Sequence, residues 1–285
     1  MLNVDHFESF FRSAAKATYH HQRVALSPAL IIGDDPSVTP GLSQILGRSL
    51  RPGEGDDGLK ISALEAGTVR DIPTLIDALK EAAPKLIVTW RNLFSETWRY
   101  PYSLGEHLDV LTQVTDIPVL LLPHPKGEHA LGPTAGFGQR VMAITDHLTG
   151  DESLIQHAVA LTKPGGTLYL SHVEDDATFQ RYIDTVSRIP NLNTDIAREE
   201  IAVQLLKEPR DYIQSCKGVL KDQGVKISVE AVIEMGHFLK EYTRLIEAHE
   251  VDLLVLNTKD DDQRAMHGLA YPLAVEMRHI PMLLL

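Results

Sequence analysis

Short apolar runs recur along the chain, each followed by a polar loop and then by a stretch with helical periodicity. Residues 251–256 (VDLLVL) are nearly all apolar, the pattern of a strand buried on both faces of a parallel sheet. A polar loop follows at 257–267 and carries Asp260, Asp261 and Asp262 in succession. Gly268 opens a helical stretch, which Ile280-Pro281 ends just before a terminal strand at 282–285. The loop of this unit lies at the carboxyl end of a strand, where open α/β sheets bind their ligands.

The same unit occurs earlier. Residues 86–89 (LIVT) read as a strand, 90–104 as a polar-aromatic loop and 105–116 as a helix, and 117–122 (IPVLLL) matches 280–285 (IPMLLL). Gly105 precedes Ile117 by the interval that separates Gly268 from Ile280, a fixed spacing that indicates duplication. The chain therefore divides into a reduced first domain with an N-terminal helix (1–122), a linker rich in Pro and Gly (123–139) and a full second domain (140–285).

Strands are expected at 28–33, 59–65, 86–89 and 117–122 in the first domain. The second domain adds 141–145, 167–173, 225–233, 251–256 and 282–285. Apolar faces such as Ile72, Leu75, Ile76 and Leu79 mark the helices between them, and Pro209 predicts a kink or break in a long helical region ending at Gly224. This alternation specifies an α/β fold of two tandem, Rossmann-like open parallel sheets, the first lacking a strand and its crossover. Phe7, Phe10, Phe11 and Ala14 form a helical stripe expected to dock on the first domain. The strands at 119–122 and 282–285 would be hazardous as exposed edges. They are expected to pair antiparallel within one chain; a homodimer is a further assembly open to such a protein.

Composition narrows the function. A 285-residue chain with 44% hydrophobic residues and a net charge of −12 is an acidic globular protein, unsuited to broad binding of nucleic acid or anionic membranes. The single cysteine, Cys216, shares an apolar helical face with Tyr212, Ile213, Val219 and Leu220, which makes it a structural thiol and suits a reducing compartment. The N-terminal stretch lacks the plan of a signal peptide and no apolar run is long enough to span a membrane, so a cytoplasmic location is expected. The loop carrying Trp90, Phe94, Trp98, Tyr100 and Tyr102 suits packing and contact with a protein partner, with Trp90 in the core and Trp98 partly exposed. Arg91 and Arg99 in that loop are suited to an anion, although exposed arginines ordinarily only solvate a loop.

These features resemble the tandem universal stress proteins. The resemblance rests on an acid closing the first strand (Asp146), a strand ending His172-Val173-Glu174, and the closing strand–loop–helix–strand unit. It implies a nucleotide cleft edged by Asp146, Val173, Asn257, Thr258, Lys259, Asp260 and Gly268. In nucleotide-binding members the last loop reads G-x-x-G-x9-G-[ST], and its glycines let backbone N–H groups approach the phosphates. Here Asn257 and Asp260 replace the first two glycines, Gly268 stands closer to Asn257 than the motif requires, and Leu269 replaces the hydroxyl residue. The three aspartates would repel a triphosphate unless a divalent metal bridged them. ATP or AMP is thus disfavoured as a cofactor. His147, His172, Glu174 and His267 form an alternative divalent-metal set in the same cleft, without any of the tight zinc spacings. No nucleophile elbow, Walker loop or dinucleotide fingerprint is present. The expected function is a non-enzymatic, stress-associated regulatory or binding protein; the alternatives are an ATP-binding or ATP-hydrolysing member and a metal-dependent binding module.

Overall fold

A computed structural model describes residues 17–50, 59–64, 67, 71–100, 103–132, 134–145, 148–190, 192–258, 266 and 270–285. The first half comprises β1 (Ala29–Ile32), α1 (Thr39–Ser49), β2 (Ile61–Leu64), α2 (Ile72–Ala82), β3 (Leu86–Trp90), a 3-10 turn (Glu96–Arg99), α3 (Glu106–Val114) and β4 (Val119–Leu122). The second comprises β5 (Arg140–Ile144), α4 (Glu152–Leu161), β6 (Thr167–Asp175), α5 (Asp176–Val186), α6 (Thr194–Asp222), β7 (Ser228–Gly236), α7 (Phe238–Ala248), β8 (Leu253–Leu256), α8 (Ala270–Glu276) and β9 (Met282–Leu284).

The nine strands among the described residues join one sheet in the order β2-β1-β3-β4-β9-β8-β5-β6-β7. Every neighbouring pair is parallel except β4 and β9, which run antiparallel with Leu120 opposite Leu283. The sheet therefore consists of two like-ordered halves meeting at a pseudo-twofold, as the paired Ile-Pro strands predict. Matching β1, β2, β3 and β4 to β5, β6, β8 and β9 leaves β7 without a counterpart among the described residues of the first half. β1, β3, β4 and β8 are buried at every residue, which is why they read as continuous apolar runs rather than as alternations.

Several local readings change. The long helix α6 runs unbroken through Pro209, which is itself buried. Asn193 caps its start by accepting from the amides of Asp195 and Ile196, and Tyr212, Ile213, Cys216 and Leu220 anchor its second half in the core. That packing outweighs the single backbone bond a proline removes. Residues 123–139 lack regular structure as expected, yet Phe137 is buried and its N–H donates to Ser49 Oγ at 3.2 Å. The next three amides, of Gly138, Gln139 and Arg140, all donate to the Asp252 carboxylate at 2.8–3.1 Å and fix where β5 begins.

The stripe Phe7, Phe10, Phe11 and Ala14 lies outside the described residues. The segment that follows it packs on the second half of the molecule. Tyr19 is buried, its N–H donates to Ser215 Oγ, and its ring meets Tyr212 edge-on at 6.5 Å. His20 sits 2.9 Å from Glu152.

Burial lowers the pKa of His21, His124, His157 and His279 below the ordinary 6.5. Each binds its proton less readily in the folded chain than in the unfolded one, so stability must fall as the pH drops below 6.5. The carboxyls of Asp109 and Asp151, raised by burial, act in the opposite sense only nearer their ordinary 3.8. The melting temperature is expected to decline first just below pH 6.5, and a flat profile there would contradict the burial of these rings.

Candidate functional site

In the first half, Asp34 follows β1 and Trp90 ends β3, so both stand at the carboxyl edge of neighbouring strands. Trp90 is 1% exposed, and its indole lies over Gly33 so closely that a Cβ there would collide with it. The indole Nε1 donates to Asp34 Oδ1 at 3.1 Å, while the Phe94 N–H donates to Oδ2 at 2.9 Å. The acid at the end of β1 is thus engaged by the protein itself.

Beyond the indole a cavity of about 390 Å³ remains, lined by Gly33, Pro36, Thr39, Pro40, Ser43, Ala63 and Leu64. It lies between the ends of β1 and β2 and the first turn of α1, where the amides of a helix start lack intrahelical partners. Among the described residues, its lining holds two hydroxyls and no charged side chain. Sequence reasoning placed the site in the second half and missed this cavity. The available signal was Gly33 immediately after an apolar strand, before Asp34-Asp35-Pro36.

In the second half, Asp146, His147, Lys259, Asp260, His267 and Gly268 lie outside the described residues. The remaining candidates are engaged in packing and backbone bonds. Val173 is buried, and its N–H donates to Tyr242 Oη at 3.2 Å. Asn257 Nδ2 donates to Asp151 Oδ2 at 2.5 Å. Asp151 also accepts from the Leu154 N–H and so caps α4. Burial pushes the Asp151 carboxyl up, against the pull of those same bonds. Thr258 donates both its N–H and its hydroxyl to the Leu285 carbonyl, at 3.0 and 2.6 Å, tying the start of the closing loop to the end of the chain.

His172 is 8% exposed, with Nε2 3.3 Å from Glu174 Oε2. Its Nδ1 is buried without a hydrogen-bond partner. If Nε2 carries the proton shared with Glu174, Nδ1 presents a bare lone pair. Among the described residues no group of three or more His, Cys, Asp or Glu side chains is placed to hold a metal. Cys216 is wholly buried, and its surroundings push the thiol up to about 12, which suits a structural role.

The loop after β3 divides as expected between core and surface. Trp98 is partly exposed and stacks on His124 at 5.0 Å, with the Arg99 guanidinium 5.3 Å from its ring centre. Arg91, in contrast, is buried at 4% exposure. The exposed reading of that side chain is therefore corrected: it turns inward from the strand end.

Two solved structures share this architecture along most of their length. One is a functionally unknown protein from Pseudomonas aeruginosa PAO1, 14% identical, with a TM-score of 0.52 over 92% of each chain. The other is a universal stress protein from Archaeoglobus fulgidus DSM 4304, also 14% identical, with a TM-score of 0.50 over 90% of this chain and 95% of that one. The chain thus has the universal stress protein fold, in two tandem halves of which the first shows one strand fewer among the described residues. No protein-family model and no curated protein matches it. Among the described residues no helix is long and apolar enough to cross a membrane.

Proposed function

We propose that this protein is a tandem universal stress protein acting in the cytoplasm as a non-enzymatic binding or regulatory protein, without the ATP binding or hydrolysis of nucleotide-using members. The observation that carries this reading is the closed pair of Asp34 and Trp90. The strand-end acid has both oxygens satisfied by protein donors, and an indole occupies the space above Gly33. In the second half, one Nδ2 hydrogen of Asn257 is held by Asp151, and the Thr258 hydroxyl proton is spent on the Leu285 carbonyl, so Thr258 has no side-chain donor left for a phosphate. The uncharged lining of the first-half cavity suits a small neutral ligand with groups that can meet Thr39 and Ser43. Tyr100, 64% exposed beside Trp98, offers an aromatic surface to a protein partner.

Calorimetry of the full chain with ATP, with and without magnesium, tests the reading. No saturable heat is expected up to millimolar nucleotide, which bounds the binding free energy at about −4 kcal/mol. Micromolar binding without metal would overturn it. A second reading, a metal-dependent binding module, rests on the bare Nδ1 of His172 beside Glu174. Native mass spectrometry of the purified chain separates the two, because a bound divalent ion would appear as a discrete added mass.

A further inference from the structure

A second cavity, of about 50 Å³, lies between the loop after β3, the segment that follows β4 and the turn before β9. Arg91, Asn92 and Ser103 line it from the loop after β3, His124, Glu128 and His129 from the segment between the halves, and Arg278 from the turn before β9. Its composition is unusual for so acidic a chain. It contains two arginines and two histidines, against a single carboxylate on the exposed Glu128.

Arg91 is the centre of it. Its Nη1 donates to the Ala274 carbonyl and its Nη2 to the Met277 carbonyl at 3.1 Å, so two donors are taken by the C-terminal end of α8. Nε is buried and has no partner. Among the described residues no carboxylate answers the charge: Arg278 opposes it, and Arg91 in turn opposes protonation of His279. Burial and Arg278 together push Arg91 down to about 9. A buried cation without an anionic partner costs several kcal/mol, and carbonyl dipoles offset only part of that. An anion would offset far more, and the other donors are ready for one. His124 Nδ1 accepts from the Lys126 N–H at 3.1 Å, which leaves the proton of the neutral ring on Nε2. Ser103 Oγ lies 3.5 Å from Asn92 Nδ2 as an acceptor, so its own hydroxyl proton is free to be donated.

We propose that this cavity is an oxyanion site that takes a phosphate-sized group, held by Arg91 Nε and the Arg278 guanidinium with Ser103 and His124 as further donors. Its volume admits one such group and no nucleoside. The site is separate from the strand-end cavity, with which it shares no lining residue. The proposal is independent of the nucleotide question, because ATP in the strand-end cleft would be indifferent to Arg278.

The ligand is either free phosphate or the terminal phosphoryl group of a monoester, and the probes are inorganic phosphate and glycerol 3-phosphate. Calorimetry of the full chain at low ionic strength is expected to give saturable one-to-one binding of at least one of them. Binding of phosphate alone assigns the site to the free ion, and displacement of phosphate by the monoester assigns it to a phosphoryl end. Arg278→Gln, at an exposed position that leaves the core intact, is expected to weaken binding at least tenfold, the scale of one charge-assisted bond. Lys80→Gln, on the distant helix α2, should leave it unchanged. Absence of saturable binding, or equal affinity for the wild type and Arg278→Gln at unchanged melting temperatures, would overturn the assignment.

Discussion

Removing residues 282–285 is expected to convert a soluble chain into an aggregating one. β9 is an internal strand: it pairs parallel with β8 on one side and antiparallel with β4 on the other. Its loss would split the sheet and expose two apolar edges at once, each a template for pairing with another chain. Met282, Leu283 and Leu284 are all at most 2% exposed. Truncating one such side chain to alanine costs about 2–5 kcal/mol. Three together rival the entire stability of a typical domain, about 5–15 kcal/mol. The deletion also removes the Leu285 carbonyl that holds Thr258, and the Leu285 N–H that donates to Leu256 at 2.9 Å. Light scattering and sedimentation of the truncated chain check the outcome. A monomeric species with an unchanged melting temperature would show that the half-sheets do not depend on this strand.

The pairing of β4 with β9 was legible because both strands announce themselves in the same way, as Ile-Pro followed by four apolar residues. A strand buried on both faces has no alternation to obscure it, and its register is then set by its neighbours. What could not be read was side-chain direction at strand ends. Arg91 sits in a loop sequence that looks solvated, yet it turns inward because the carbonyls at the end of α8, nearly two hundred residues away, need donors. For a similar reason the helix does not break at Pro209: the proline's local cost is fixed, while the core contacts of Tyr212, Ile213 and Cys216 that outweigh it are tertiary. Of the second-half candidates, Asp146, His147, Lys259, Asp260, His267 and Gly268 lie outside the described residues, so only the others could be compared with the reading.

Trp90→Ala is expected to be the most damaging single substitution in the first half. The indole is 1% exposed at the end of a strand that is buried throughout, so its removal leaves a cavity that rigid strands cannot close. Losses of this kind run to about 3–5 kcal/mol. The Nε1 bond to Asp34 adds about 1 kcal/mol and leaves a carboxylate oxygen short of a donor. Trp98→Ala is the contrasting change. That ring is partly exposed, and its loss should cost about 1 kcal/mol, the scale of its one stacking contact with His124. If Trp98 serves a partner, binding of that partner is lost while folding is nearly intact. Urea unfolding of both variants measures the difference, and similar midpoints would refute the division into core and surface. A double-mutant cycle sharpens the point. Gly33→Ala alone should be strongly destabilising, because its methyl would collide with the indole. In the Trp90→Ala background the same methyl meets empty space, so its cost should largely disappear. Additive effects would mean that the indole does not stand over Gly33, and the closed-cleft reading would fall with it.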